Sequence, residues 1–205
     1  MKKISFKKII TYLSLILFII LTILVLSNKT TPLDNYFENF VLNIRNDALT
    51  DIMIIITNIS SAYSLIALTI LILIILKKKR ISLYIAINLI TSFLFSQIIK
   101  LIIQRPRPID ISLVDHVGYS YPSGHSLVSM AYFGFITYLI FKNVDNKFFR
   151  YFFTVISIIL IIAIGFSRIY LGVHYFSDVF GGFLLAIFFL LNFINITNKG
   201  DDLCK

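Results

Sequence analysis

The stretch ISLYIAINLITSFLFSQIIKLII, from Ile81 to Ile103, carries a single charged side chain, Lys100, near its end. A run this long and this apolar matches the roughly 20 residues that an α-helix needs to cross a bilayer. Its polar residues are not scattered. Asn88, Ser92, Ser96 and Lys100 follow at four-residue steps, with Gln104 just beyond. On a helix of 3.6 residues per turn such a stripe drifts about 40° per step, so it stays on one side and should face the interior of a helix bundle. The serines alone would also serve as helix-packing contacts.

Five further apolar runs flank this one: Ile9 to Ser27, Ile52 to Leu76, Ser123 to Phe141, Tyr151 to Phe166 and Phe176 to Ile196. The fifth in chain order, Tyr151 to Phe166, is the shortest. The chain of 205 residues is 58% hydrophobic, above the roughly 45–50% of soluble domains. The expected fold is all-α: a polytopic membrane protein with six transmembrane helices in a single domain spanning residues 1–205. Between the first two runs Leu33, Phe37, Phe40, Val41 and Ile44 recur at helical spacing among Asp34, Asn35, Glu38 and Asn43. That pattern predicts a short amphipathic helix on the membrane surface.

The net charge of +9 sits in short clusters between apolar runs, not along a face interleaved with aromatics, which excludes a nucleic-acid stripe. Lys2, Lys3, Lys7 and Lys8 precede the first run like the leader of a retained signal anchor. With that end in the cytoplasm, Lys77, Lys78, Lys79, Arg80, Lys142, Lys147, Arg150, Lys199 and Lys205 also fall inside. Only Lys29, Arg45, Lys100, Arg105, Arg107 and Arg168 fall outside. The bias predicts both termini in the cytoplasm. Cys204 has no intramolecular partner and, with only Lys205 after it, forms no prenylation box.

Ionisable residues in or at the mouth of membrane spans are costly, and so are candidates for function. Three clusters qualify: Lys100 to Pro108 with Arg107, the tetrad Pro122-Ser123-Gly124-His125, and Ser167-Arg168 through His174 to Asp178. The topology puts all three on the extracytoplasmic side. Three cations, two histidines and one carboxylate at a helix N-terminus suit a phosphate better than a metal ion, which the cations would oppose. His174 and Asp178, four apart, share a face if both are helical, so the carboxylate can fix the imidazole. Ser123 is placed to cap the fourth span, and Gly124 permits close backbone approach. Gly182 and Ala186 continue the His174 face as small residues that allow close helix packing. Arg105 reads as either an interfacial anchor or an auxiliary cation, and His116 has no evident partner.

These clusters match, in order and spacing, the K-x6-R-P, P-S-G-H and S-R-x5-H-x3-D motifs of the type 2 phosphatidic acid phosphatase family, which the chain resembles from Lys100 to Asp178 and in its six-span layout. The resemblance implies a membrane lipid phosphatase without cofactor or metal. It implies that His174 attacks phosphorus and becomes phosphohistidine, with Asp178 orienting it. His125 would protonate the leaving group and then activate water, while Lys100, Arg107, Ser123, Gly124 and Arg168 would hold the phosphate. Among lipids served by small bacterial members, phosphatidylglycerol phosphate is favoured, with undecaprenyl diphosphate as the alternative. The Ile-, Asn- and Lys-rich composition suggests an AT-rich bacterial source. The superfold also contains soluble vanadium haloperoxidases, which the spans argue against. A lipid-binding or lipid-translocating protein that does no chemistry would not need His125, His174 and Asp178 together.

Overall fold

A computed structural model describes residues 6–75, 79–108 and 111–202. Lys2, Lys3, Leu76, Lys77, Lys78, Cys204 and Lys205 lie outside them. Among the described residues the chain is all-helical, in eight helices. These are α1 (Phe6–Leu26), α2 (Thr31–Ile44), α3 (Asp47–Ile59), α4 (Ala62–Ile75), α5 (Lys79–Ile103), α6 (Gly124–Asn143), α7 (Lys147–Tyr170) and α8 (Phe176–Asp202). Five of them, α1, α5, α6, α7 and α8, are long and apolar enough to cross a membrane. Counting the bent pair α3 and α4 as one crossing makes six.

The apolar run from Ile52 to Leu76 is thus not one continuous helix: its described residues fall in α3 and α4. The two helices meet at a bend of 50°. Ser60 leaves helical geometry at φ −100°, ψ 14°, while the Ser61 hydroxyl accepts from Ser64 N at 3.2 Å and starts the next helix. Hydropathy averaged over a window does not register two serines between apolar halves. The fifth span is also longer than the run from Tyr151 to Phe166. It covers 24 residues because Asn146 caps it, accepting from Phe148 N at 2.9 Å, and because it continues past Arg168 to Tyr170.

The bundle has an apolar core, with Leu65, Leu127, Phe135 and Ile164 buried, yet many large apolar side chains are also exposed. Ile158, Ile159 and Ile162 of α7 and Leu101 and Ile102 of α5 are exposed, as lipid-facing side chains should be. Inside, Ser82, Asn88, Ser92, Ser96 and Lys100 line the buried side of α5. The expected stripe is therefore interior, except for Gln104. That residue is exposed and, at φ 54°, ends the helix, its N–H closing the last turn on the Lys100 carbonyl at 2.9 Å. Pro106 and Pro108 follow and cannot continue it.

Helix α8 is the central post, packed against α6 and α1, with α5 and α7 flanking α6, α3 against α7 and α4 against α5. Gly182 makes the contact with α6 possible: a Cβ there would lie 2.8 Å from the Ser123 carbonyl oxygen. The expected amphipathic helix is present as α2, which buries Asp34 and Val41 while Leu33, Tyr36 and Phe40 are exposed. The turn joining α7 to α8 depends on Gly172, at φ 70°, where an added Cβ would sit 2.3 Å from the Ile111 carbonyl oxygen. Gly172→Ala is expected to cost about 1–3 kcal/mol, since it combines left-handed backbone with a clash against main chain. A thermal unfolding midpoint in detergent, equal to wild type, would contradict this.

Candidate active site

The three motif clusters converge on one end of the bundle. Lys100, Arg107, Gly124, His125, Arg168 and His174 line a single cavity of about 350 Å³. The rest of its lining is mostly apolar, including Leu65 and Ile66 of α4 and Leu89, Ile90, Phe93 and Leu94 of α5.

Each cation is held by a different device. Lys100 Nζ donates to the carbonyl oxygens of Tyr119 at 2.6 Å and Ser120 at 3.0 Å, which pins the loop before Pro122 onto α5. Arg107 donates from Nε to Gly118 O at 2.9 Å and from Nη1 to Val173 O at 2.8 Å. Arg168, only 1% exposed, donates from Nη1 to Thr57 Oγ1 at 2.5 Å, and its Nη2 contacts His116 Nε2. Its Nε is buried without a partner among the described residues.

His174 precedes α8 and so is not on the helix with Asp178, as the spacing argument assumed. The two are brought together differently. Asp178, in the first turn of α8, reaches back with Oδ2 to accept Tyr175 N at 2.9 Å, one half of a capping box. The same oxygen lies 3.4 Å from His174 Nδ1, at the long limit of a hydrogen bond. The Nε2 of His174 faces Arg107 Nη1 at 3.2 Å. Since arginine only donates, this pairing assigns the tautomer with the proton on Nδ1 and a lone pair on Nε2. Burial, then the neighbouring Lys100, Arg168 and Arg107, hold the His174 imidazole neutral well below the usual histidine range.

The folded pKa of His174 is depressed, so the neutral ring contributes stability fully present above about pH 6.5, the unfolded value, and lost as pH falls below it. In ¹⁵N-histidine NMR, the signal missing from His174→Ala is expected to keep its neutral-imidazole shift from pH 8 to below 6. A midpoint near 6.5 would show that neither burial nor the cations act on it.

Ser123 caps α6 as expected, its hydroxyl accepting from Ser126 N at 3.4 Å. Gly124 brings α6 against α5: a Cβ would be 3.2 Å from Ser96 Oγ. His125 follows in the first turn and forms an edge contact with His116, ring centroids 6.1 Å apart. His116 therefore does have partners, Arg168 and His125, which a loop position between two motifs did not reveal.

Arg105 is neither a membrane anchor nor a spare cation for substrate. It is spent on two buried carboxylates, Asp178 at 2.6 Å and Asp34 at 2.8 Å. From the sequence Asp34 reads only as a polar position of the amphipathic helix, which gives no reason to pair it with Arg105. Arg45 was also unexplained; its guanidinium holds the Tyr170 carbonyl at 2.7 Å and so ties α2 to the end of α7. Among the described residues no group of three or more His, Cys, Asp or Glu side chains converges as metal ligands would.

Buried Lys100 and Arg168, the His174–Asp178 pair and the start of α6, gathered around one cavity in a bundle of apolar helices long enough to cross a membrane, place the chain among multi-span helical membrane proteins. The chain belongs to the PAP2 superfamily, whose model matches residues 80–201, and is a multi-span membrane phosphatase of that family. It is 30% identical to phosphatidylglycerophosphatase B of Bacillus subtilis (strain 168), over 85% of this chain and 89% of the relative. It is 25% identical to an undecaprenyl-diphosphatase of Sulfolobus acidocaldarius, over 74% and 72% respectively. The crystal structure of the first transmembrane PAP2 type phosphatidylglycerolphosphate phosphatase from Bacillus subtilis superposes with a TM-score of 0.85 at 26% identity, covering 92% of this chain and 96% of that one. Aquifex aeolicus LpxE superposes with a TM-score of 0.64, covering 80% and 95%; at 23% identity that likeness concerns the fold alone.

Proposed function

We propose that this single catalytic unit hydrolyses the phosphate of a membrane lipid, phosphatidylglycerol phosphate in the first instance, through a phosphohistidine on His174 and without a metal ion. The observation that carries the reading is the mixed lining of one cavity: its apolar residues from α4 and α5 suit acyl chains, and its cations suit a phosphate. His174 Nε2 attacks phosphorus in line, and the lipid alkoxide leaves with a proton from His125. The same His125 then takes a proton from water as the oxygen attacks phosphohistidine, releasing inorganic phosphate. Lys100, Arg107 and Arg168 hold the non-bridging oxygens with Ser123 and Gly124 at the start of α6, and supply the charge that a metal ion would otherwise bring. Asp178 balances the imidazolium. The loop charges support an extracytoplasmic site with both termini in the cytoplasm.

The similarity to an undecaprenyl-diphosphatase supports a second reading, in which the substrate is a polyprenyl diphosphate. Phosphate release from phosphatidylglycerol phosphate, undecaprenyl diphosphate and phosphatidic acid, measured in detergent with EDTA, separates these. Turnover in EDTA, fastest on the first lipid, is the expected result. Activity that vanishes with EDTA and returns with a divalent ion would sink the metal-free mechanism, and binding of all three lipids without turnover would sink the enzyme.

A further inference from the structure

We infer that Asp34, on the amphipathic helix α2 and outside every motif of the site, is a positioning residue for the reaction, acting on Asp178 through Arg105. This rests on the reading of His174 as nucleophile. Asp34 is 2% exposed and does not line the cavity. Its Oδ2 accepts from Arg105 Nη2 at 2.8 Å, and the other guanidinium nitrogen, Nη1, donates to Asp178 Oδ1 at 2.6 Å. Asp178 Oδ2 is thereby left for Tyr175 N and His174 Nδ1.

The same carboxylate fixes the chain that follows the nucleophile. Asp34 Oδ1 accepts from Ser177 N at 2.9 Å and Oδ2 from Ser177 Oγ at 2.8 Å. One turn further along α2, Phe37 stacks on Phe176 with centroids 3.9 Å apart, and Arg105 lies over the Tyr175 ring at 4.2 Å. All three residues between His174 and Asp178 are thus held by α2 or by Arg105.

Charge gives the arrangement its sense. Arg105 paired with Asp178 alone would neutralise the carboxylate that must balance a cationic phosphoimidazole. With Asp34 on the other side of the guanidinium, the group of three carries one net negative charge, available when His174 becomes positive. Burial alone would lower the Arg105 pKa, and Asp178 and Asp34 more than reverse this, so the bridge stays charged.

The test is steady-state turnover of dioctanoyl phosphatidic acid in detergent micelles by the full chain, together with the thermal midpoint. Asp34→Asn is expected to lower kcat about tenfold with KM within about twofold of wild type, and to cause no further loss when added to Arg105→Gln. A kcat within twofold of wild type overturns the inference. So does an equal loss in both backgrounds, which would mean that Asp34 acts independently of Arg105. If Asp34→Asn does not fold, Arg105→Lys, which keeps the charge but cannot bridge both carboxylates with one planar fork, should lower kcat about threefold at unchanged KM; an unchanged kcat is again decisive against it. His174→Ala in the same assay separates the two levels. If that variant loses less than tenfold, the phosphohistidine reading itself has failed; if it loses about four orders of magnitude while Asp34→Asn is normal, only the role of Asp34 has failed.

Discussion

His174→Ala is expected to lower phosphate release by about four orders of magnitude or more while leaving the protein folded and able to bind lipid phosphate. The size follows from the nucleophile's isolation. Among the groups that line the cavity, the cations have no lone pair to offer, His116 has its Nε2 taken up by Arg168, and His125 is on the other side of the proposed displacement, where the leaving group departs. Wild-type His174 is ready to react in the neutral form: Nδ1 faces Asp178 at 3.4 Å and Nε2 faces Arg107 at 3.2 Å. A phosphate oxygen that takes the Arg107 donor frees the Nε2 lone pair at the moment phosphorus arrives. The residual activity of the variant measures what the cations alone do for attack by water, an amount of about 10³–10⁴ over solution in other hydrolases stripped of their nucleophile. The measurement is a rate of phosphate release with a parallel binding curve for inorganic vanadate, a mimic of the five-coordinate phosphoryl centre. A loss below tenfold would mean that water attacks directly in the wild type. Equal losses of turnover and vanadate binding would make His174 a binding residue instead.

What the sequence disclosed and what it hid divide along a physical line. Lys100, His125, Arg168, His174 and Asp178 were legible because ionisable groups in a bilayer are expensive, so each one asks for a reason. The six apolar runs were legible because hydrophobic length is set by bilayer thickness. The bend at Ser60 was hidden because a break of two residues costs little hydropathy. The partnership of Arg105 with Asp34 was hidden because it joins residues 71 apart in sequence, and each alone has a bland explanation, as an interfacial anchor or as a polar position of an amphipathic helix. The pairing of His174 with Asp178 was anticipated on an incorrect premise, a shared helix. What joins them is a capping geometry in which Asp178 reaches back over the helix start. Spacing of four residues serves both geometries, so the sequence could reveal the pair but not the way it is made.

Arg168→Ala is expected to reduce kcat/KM by about 10³-fold, or about 4 kcal/mol of transition-state stabilisation, the second largest loss in this site. Its guanidinium is 1% exposed and fixed on two sides, by Thr57 of α3 and by His116. Such fixing removes the side-chain freedom that a surface arginine would lose on binding phosphate. The buried Nε, with no partner among the described residues, remains as a donor for an oxygen of the transferring group. A charge held in a dry site interacts more strongly than in water, so the effect should exceed that of an exposed contact. Arg168→Lys tests whether the geometry matters as well as the charge. An ammonium cannot engage Thr57, His116 and a phosphate with a rigid fork, so lysine should recover less than tenfold of the loss. Recovery to within a few-fold of wild type would show that only the charge counts. A thermal midpoint lowered in step with activity in both variants would instead assign Arg168 to holding α3 against α7, because Thr57 and Arg168 join those two helices.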